Sequence, residues 1–171
     1  MNAIMGMTAL ASAYIDDPAR VADCLRKISV SSRHLLSLIN DILDMSKIER
    51  GKITLNRMEM SVPGLLEQLS TIIEPQARAA GLSFCARAGR VRQERFIGDA
   101  LRVSQILLNL LSNAVKFTPE GGRVEFFAEE LPAESAGRVR YRFVVRDTGI
   151  GMSEEFLASM FDPFSRSREA T

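Results

Sequence analysis

A repeat of apolar and small residues between Pro18 and Gly51 is the strongest constraint on the fold. Its members follow one another in steps of three and four: Leu25, Ile28, Ser32, Leu35, Ile39, Ile42 and Ser46. This spacing predicts an amphipathic helix, which Asp17 and Pro18 would begin and Gly51 would end. At 1.5 Å per residue the helix would be about 45 Å long. Heptad spacing is typical of a helical-bundle seam, so this helix needs partners.

A shorter helix is predicted before it. It runs from Asn2 to about Tyr14 and places four side chains on one side: Ile4, Met7, Ala11 and Tyr14. The two helices together predict a hairpin over residues 1–50. Because one short helix cannot cover the long stripe, we expect two hairpins from two chains to pair into a four-helix bundle. The sequence therefore predicts a homodimer.

The residues after position 50 switch between helical and extended patterns. Helices are predicted from Ser61 to Ala80 with a kink at Pro75, from Ala100 to Phe117, and from Ser153 onward. Strands are predicted at Lys52–Leu55, Leu82–Arg87, Arg123–Glu130 and Arg138–Arg146. This order of elements favours an α+β domain over residues 51–171.

Charge and composition exclude several classes of function. Lys and Arg number 22 against 21 Asp and Glu, a net charge of +1, so nothing calls for a nucleic acid or an anionic membrane as partner. The sequence has no apolar run of about 18 residues and no signal peptide, which indicates a cytoplasmic chain or the cytoplasmic part of one. Cys24 and Cys85 lack metal-site spacing, no P-loop motif occurs, and the single histidine, His34, has no partners for a Ser-His-Asp triad.

One polar line runs along the helix predicted at Ala100–Phe117. At 100° per residue this line contains Arg102, Gln105, Asn109, Asn113 and Lys116. Apolar residues make up most of the remaining surface, so we expect a helix that is buried on most sides. Asparagine is a poor helix former, and two amide oxygens one turn apart beside an ammonium group suit a Mg²⁺-triphosphate. The alternative is that the two asparagines hold the backbone of a neighbouring loop.

A glycine-containing turn follows the strand predicted at Arg138–Arg146. Asp147 is in register with the apolar side of that strand, so its carboxylate would point to the buried side and need a donor. The exocyclic amine of adenine is such a donor. Gly149 and Gly151 permit positive φ and the close approach of a flat ring. The alternative is an ordinary D-x-G turn that binds nothing.

Two aromatic residues flank an Asp-Pro turn further along. Phe161 and Phe164 stand among polar residues, which predicts a loop that is pinned by its phenylalanine side chains. The alternative is that the two residues form an edge of the hydrophobic core.

These segments, in this order, resemble the sensor histidine kinases. Residues 105–118 (QILLNLLSNAVKFT) are similar to the N box of that family, residues 147–152 (DTGIGM) to its G1 box, and residues 161–164 (FDPF) to its F box. Residues 1–7 (MNAIMGM) look like the segment just after its phosphoacceptor box, and residues 34–49 (HLLSLINDILDMSKIE) look like its second hairpin helix. The resemblance covers essentially the whole chain, and the motifs together make it specific.

The resemblance implies a dimerisation and phosphotransfer hairpin at residues 1–50 and an α/β-sandwich ATP-binding domain of the Bergerat type at residues 51–171. It assigns site roles as follows: Asn113 and Asn109 at Mg²⁺, Lys116 at the phosphates, Asp147 at the adenine amine, Gly149 and Gly151 in lid movement, and Phe161 and Phe164 as lid anchors. The implied reaction transfers the γ-phosphoryl group of ATP to a histidine and then to an Asp of a response-regulator receiver domain.

Two features of the family pattern are missing from the sequence. The acceptor histidine of the family precedes the MNAI segment and its second glycine box follows the F box, so we expect both to lie outside these 171 residues. His34 is then not the acceptor, the chain contains no catalytic residue, and alone it is expected to be inactive. Two other interpretations stay open: a pseudokinase or dimerisation module that binds no nucleotide, and another Bergerat-fold ATPase such as a topoisomerase or mismatch-repair ATPase. The latter carry an acidic base at the position of Asn109 and lack the hairpin.

Overall fold

The computed structural model describes residues 2–50 and 54–162. The chain divides into two compact units, Met1–Thr54 and Leu55–Thr171. Among the described residues, no helix is both long enough and apolar enough to cross a membrane.

The first unit is a hairpin of two helices, as predicted. Helix α1 covers Asn2–Ala13 and helix α2 covers Pro18–Glu49. The Asp17 carboxylate accepts a hydrogen bond from the backbone N–H of Arg20 at 3.2 Å and caps α2. The helices pack through a line of buried and half-buried side chains: Ile4, Met7, Ala11, Val21, Cys24 and Ile28. Tyr14, which was predicted on this line, follows the end of α1 and is exposed.

The apolar stripe of α2 extends far beyond α1. Helix α1 has 12 residues and α2 has 32, so about 30 Å of α2 extends beyond the length of α1. Four large apolar side chains of this stretch are exposed: Leu36, Ile39, Ile42 and Leu43. Leu25, in the part of α2 beside α1, is exposed as well. A helix face of this kind is stable when another chain covers it.

The second unit combines helices with two small sheets, which confirms the α+β class. Helix α3 covers Val62–Ala79, α4 covers Ala100–Phe117 and α5 covers Glu154–Ser159. Within residues 55–162 the strands are β1 at Met58–Ser61, β2 at Ser83–Ala88, β3 at Arg95–Gly98, β4 at Arg123–Leu131 and β5 at Arg140–Asp147. Strands β1 and β3 pair antiparallel, and the other sheet has the order β2-β4-β5, with β2 parallel to β4 and β4 antiparallel to β5.

The strand predicted at Lys52–Leu55 is not found at its described end, Thr54 and Leu55. Residues 51–53 lie outside the described part, and Thr54 and Leu55 are not in a strand. The strand instead begins at Met58, where Met60 is buried opposite Phe96 of β3. Strand β3 was not predicted at all. Each of these strands has only four residues, which is too short for an alternating pattern to stand out.

The core lies between α3, α4 and one face of the larger sheet. The Ser61 side chain caps α3 by accepting a hydrogen bond from the Gly64 N–H at 3.1 Å, as predicted, and the helix continues through Pro75. Its buried residues recur every three or four positions: Val62, Leu65, Leu69, Ile73 and Ala77. The inner face of β4 supplies Val124, Phe126 and Ala128, all fully buried. These contacts hold α4 and the strand ends in fixed positions.

Helix α4 is less buried than predicted. Its buried residues form a single narrow face of Ser104, Leu107, Leu111 and Ala114. Leu101, Ile106 and Leu110 are at least half exposed, because α3 and the sheet cover only one side of α4 in the described part of the chain. The prediction of a helix buried on most sides was therefore wrong, although the prediction of its two ends was confirmed.

The buried face of α4 contains one polar atom without a partner. Ser104 is 5 % exposed, and its hydroxyl makes no hydrogen bond with any described residue. An unsatisfied buried hydroxyl costs about 1–3 kcal/mol, so we expect Ser104→Ala to raise the free energy of unfolding by about 1 kcal/mol in urea denaturation. Ser112→Ala, at an exposed position of the same helix, controls for helix propensity. A gain no larger than that of Ser112→Ala would contradict this prediction.

Candidate functional site

The start of α4 is fixed by Asp99. Its carboxylate accepts hydrogen bonds from the backbone N–H of Arg102 at 3.0 Å and from that of Asn56 at 2.9 Å. These bonds, the one from Arg102 first, lower the pKa of the Asp99 carboxyl below its usual value. Because the folded-state pKa is depressed, the resulting stability is present above the unfolded-state pKa and is lost as the pH falls through the folded-state pKa. The helix that contains the polar line is thus anchored at neutral pH.

The polar line on α4 is open to solvent at its C-terminal half. Asn109, Asn113 and Lys116 are all exposed, whereas Arg102 and Gln105 are half-buried and joined by a hydrogen bond of 3.0 Å. Neither asparagine side chain makes a hydrogen bond within residues 2–50 and 54–162. The alternative in which the two asparagines hold a neighbouring loop therefore has no support in the described structure. Their amide oxygens are available as ligands.

Asp147 is the last residue of β5 and pairs with Val124 of β4. Its side chain is exposed, which corrects the expectation of a carboxylate on the buried side. The reason is its place at the end of the strand, where covering elements end and solvent has access. One carboxylate oxygen, Oδ1, accepts a hydrogen bond from the Gly149 N–H at 2.9 Å. The other accepts none from the described residues and remains free for a donor.

The two glycines of this loop serve different purposes. Gly151 has φ of 73°, a conformation that side chains disfavour. Gly149 does not have positive φ, but a Cβ there would lie 2.6 Å from the Phe117 carbonyl oxygen and 2.7 Å from Asp147 Oδ1. Both glycines had been expected to allow positive φ or close approach. The structure assigns positive φ to Gly151 and close approach to Gly149.

The loop after β5 is fastened to the C-terminal end of α4. The Ile150 N–H donates to the Phe117 carbonyl oxygen at 3.2 Å. Because Lys116 precedes Phe117 and Asn113 lies one turn earlier, this bond brings the asparagine line and the Asp147 loop to the same end of the helix. The Lys116 ammonium lies 4.7 Å from the centre of the Phe117 ring. The loop that contains Asp147 is thus hydrogen-bonded to the end of α4 at which Lys116 lies, with Asn113 about one turn and Asn109 about two turns before it.

The backbone of Phe117 is the part of this site that the sequence did not indicate. Its carbonyl oxygen accepts the bond from Ile150 and excludes a side chain at position 149. Side-chain patterns give no signal of a backbone acceptor at a helix end, where the last carbonyls have no partner in the helix.

The predicted aromatic loop is only partly described. Phe161 is 90 % exposed, so the expectation that it pins its loop or forms an edge of the core is wrong. The reason is that α5, capped by Ser153, buries none of its residues, and nothing described brings Phe161 to the core. Phe164 lies outside the described residues.

Two family profiles match the chain. Residues 1–51 match the "His Kinase A (phospho-acceptor) domain" and residues 98–171 match the "Histidine kinase-, DNA gyrase B-, and HSP90-like ATPase". The sensor histidine kinase GacS of Pseudomonas protegens is 39 % identical over 167 residues, which are 98 % of this chain and 18 % of that protein. The chain thus spans about a fifth of the length of the curated relatives that it matches.

Two solved structures are also similar to this chain. Full-length ShkA in complex with AMPPNP is 33 % identical with a TM-score of 0.65, covering 82 % of this chain and 28 % of that one. Histidine kinase ThkA in complex with the response regulator TrrA shares the fold at 22 % identity and a TM-score of 0.66, covering 95 % of this chain and 46 % of that one. This chain therefore belongs to the sensor histidine kinases and combines a helical segment of the phospho-acceptor type with residues of their ATPase domain.

Proposed function

We propose that this chain binds Mg²⁺-ATP as part of a two-component protein histidine kinase. The γ-phosphoryl group of the bound ATP would pass to a histidine outside these residues and then to an Asp of a response regulator. The observation that carries the proposal lies at the C-terminal half of α4 and in the loop bonded to its end. The side chains of Asn109 and Asn113 make no hydrogen bond with a described residue, and one oxygen of the Asp147 carboxylate accepts none. The hydrogen bond between Ile150 and Phe117 holds the Asp147 loop at this end of the helix.

Each residue of the site has a role that fits its chemistry. Asn113, with Asn109, supplies hard oxygen ligands to Mg²⁺, which usually takes only one or two ligands from protein. Lys116 neutralises phosphate charge. The free oxygen of Asp147 accepts a hydrogen bond from the adenine amine, while Gly149 and Gly151 shape the loop around it. Phe161 and Phe164 are assigned to the lid by resemblance to the family.

The acceptor histidine is proposed to lie before Met1. Support comes from residues 1–7, which resemble the segment just after the phosphoacceptor box. His34, the single histidine, lies well inside α2 and is not proposed as an acceptor.

Two partners follow from the same proposal. The exposed apolar stripe of α2 supports pairing with a second hairpin. The response regulator is supported by the relative ThkA, whose structure contains one.

Among the alternatives, another kind of Bergerat-fold ATPase fits less well. The amide at Asn109 replaces the acidic base that such enzymes need, and the hairpin of α1 and α2 is present. The competing function is a dimerisation module, which is distinguished from the proposed kinase because it would bind no nucleotide.

The test is calorimetric titration of the chain with ATP, ADP and GTP in Mg²⁺. We expect ATP and ADP to bind and GTP to bind at least about tenfold more weakly, because its C6 carbonyl would place an acceptor against the Asp147 carboxylate. Incubation with labelled ATP should leave His34 unlabelled. Absence of nucleotide binding would favour the dimerisation module, and acid-labile label on His34 would refute the assignment of the acceptor.

A further inference from the structure

A junction of three small residues lies next to the proposed nucleotide site. It consists of Thr118 after α4, Gly122 before β4, and Thr148 between Asp147 and Gly149. None of the three belongs to the site residues named above. Their contacts tie the end of α4 to the loop that contains Asp147.

Thr148 is joined to the first residue of β4 by two hydrogen bonds. Its backbone N–H donates to the Arg123 carbonyl oxygen at 3.1 Å, and its hydroxyl Oγ1 accepts from the Arg123 N–H at 2.9 Å. The side chain thus adds a second bond to one that the backbone already makes. A residue without a hydroxyl would keep the first bond and lose the second.

Thr118 connects the same junction to α4 through a hydrogen bond of its side chain. It is 7 % exposed, and its hydroxyl donates to the Ala114 carbonyl oxygen at 2.6 Å. A Cβ on Gly122 would lie 2.3 Å from Thr118 Cγ2 and 2.9 Å from Thr148 Oγ1. Both threonine side chains therefore lie against Gly122, and a side chain at position 122 would displace at least one of them.

The junction spans the two halves of the site. Ala114, the acceptor for Thr118, directly follows Asn113, and Thr148 directly follows Asp147. The bond from Ile150 to Phe117 is the second tie between the same two elements. The separation between the Asn113 amide and the Asp147 carboxylate is thus set through these contacts.

We propose that Thr148 is a positioning residue for nucleotide binding. Its hydroxyl, held against Arg123 and the Thr118–Gly122 contact, fixes the Asp147 loop at the distance from Asn113 that one nucleotide must span. Thr148 itself contacts no nucleotide. This inference rests on the proposed function, because it concerns the geometry of the same site.

The test compares Thr148→Val, which keeps the shape and loses the hydroxyl, with Thr148→Ser, which keeps the hydroxyl. We expect Thr148→Val to weaken Mg²⁺-ADP binding by about five- to tenfold in calorimetry, and Thr148→Ser to bind within about twofold of the unsubstituted chain. Thr71→Val, at an exposed position of α3, is the control for a threonine-to-valine change.

Amide hydrogen exchange without nucleotide supplies a readout that a general loss of stability would not produce. In Thr148→Val we expect faster exchange at Gly149 and Ile150 and unchanged exchange at the buried Leu69 and Ile73. Equal affinity of Thr148→Val and the unsubstituted chain, or equal weakness of Thr148→Ser and Thr148→Val, would overturn the proposal. If the unsubstituted chain bound no nucleotide, the proposed function would fail instead, and unchanged exchange at Gly149 would separately refute the junction.

Discussion

Asp147→Asn weakens the binding of ATP and ADP by about 10–150-fold, with or without Mg²⁺, if Asp147 recognises adenine. The carboxylate has two acceptor oxygens, of which Oδ1 already accepts from the Gly149 N–H at 2.9 Å. An asparagine has one oxygen and one NH₂ group. If its oxygen keeps the bond to Gly149, its NH₂ donor faces the adenine amine, which is also a donor. The loss should therefore shrink for a nucleotide that lacks this amine.

Asn113→Ala should weaken nucleotide binding in a different way, which depends on the metal. It removes a proposed ligand of the metal, so the loss of ATP affinity should be at least about tenfold in Mg²⁺ and small in chelator. Ser112→Ala changes the adjacent exposed residue of α4 and serves as the matched control.

Calorimetry of ATP, ADP and GTP with each variant, in Mg²⁺ and in chelator, separates the two roles. If the effect of Asp147→Asn depended on metal, or that of Asn113→Ala on the base alone, the assigned roles would be wrong even within the family. The two residues are far apart in sequence, and the bond from Ile150 to Phe117 brings their elements together.

The fold was predictable where local signals were strong. Helix α4 has the predicted limits, Ala100–Phe117, because Asp99 caps its start and Thr118 and Pro119 follow its end. Strands β1 and β3 were missed or misplaced because their pairing is long-range: Met60 and Phe96 meet across 36 positions of sequence. The exposure of Leu101 and Ile106 on α4 could not be predicted either, because helical periodicity does not show which apolar face packs against other elements of the fold.

At the site, the sequence predicted which side chains are present on one helix face, but it did not predict the geometry of the backbone. The line of Asn109, Asn113 and Lys116 follows from helical periodicity alone. The hydrogen bond from Gly149 to Asp147 and the steric contact with the Phe117 carbonyl depend on how the loop turns. Asp147 was expected to be buried because strand alternation was extended to the final residue, where the covering layer ends.

The pairing of hairpins is the other feature on which the proposed kinase depends. Ile39 and Ile42 are 44 % and 64 % exposed within one chain, on a stretch of α2 that extends beyond α1. In a four-helix bundle the second hairpin would cover them. Without such a partner these two large apolar side chains would stay exposed to water, which is unfavourable.

Ile39→Glu combined with Ile42→Glu should therefore convert a dimer into a monomer. Two unpaired carboxylates in the bundle seam would cost at least about 3 kcal/mol, which raises the dissociation constant at least about 100-fold. Arg33→Glu, at an exposed position of α2, changes the net charge by the same two units and should leave the dimer intact. Sedimentation velocity over a range of concentrations measures both. A chain that is monomeric before substitution, or a dimer that both sets of changes leave equally stable, would refute the bundle.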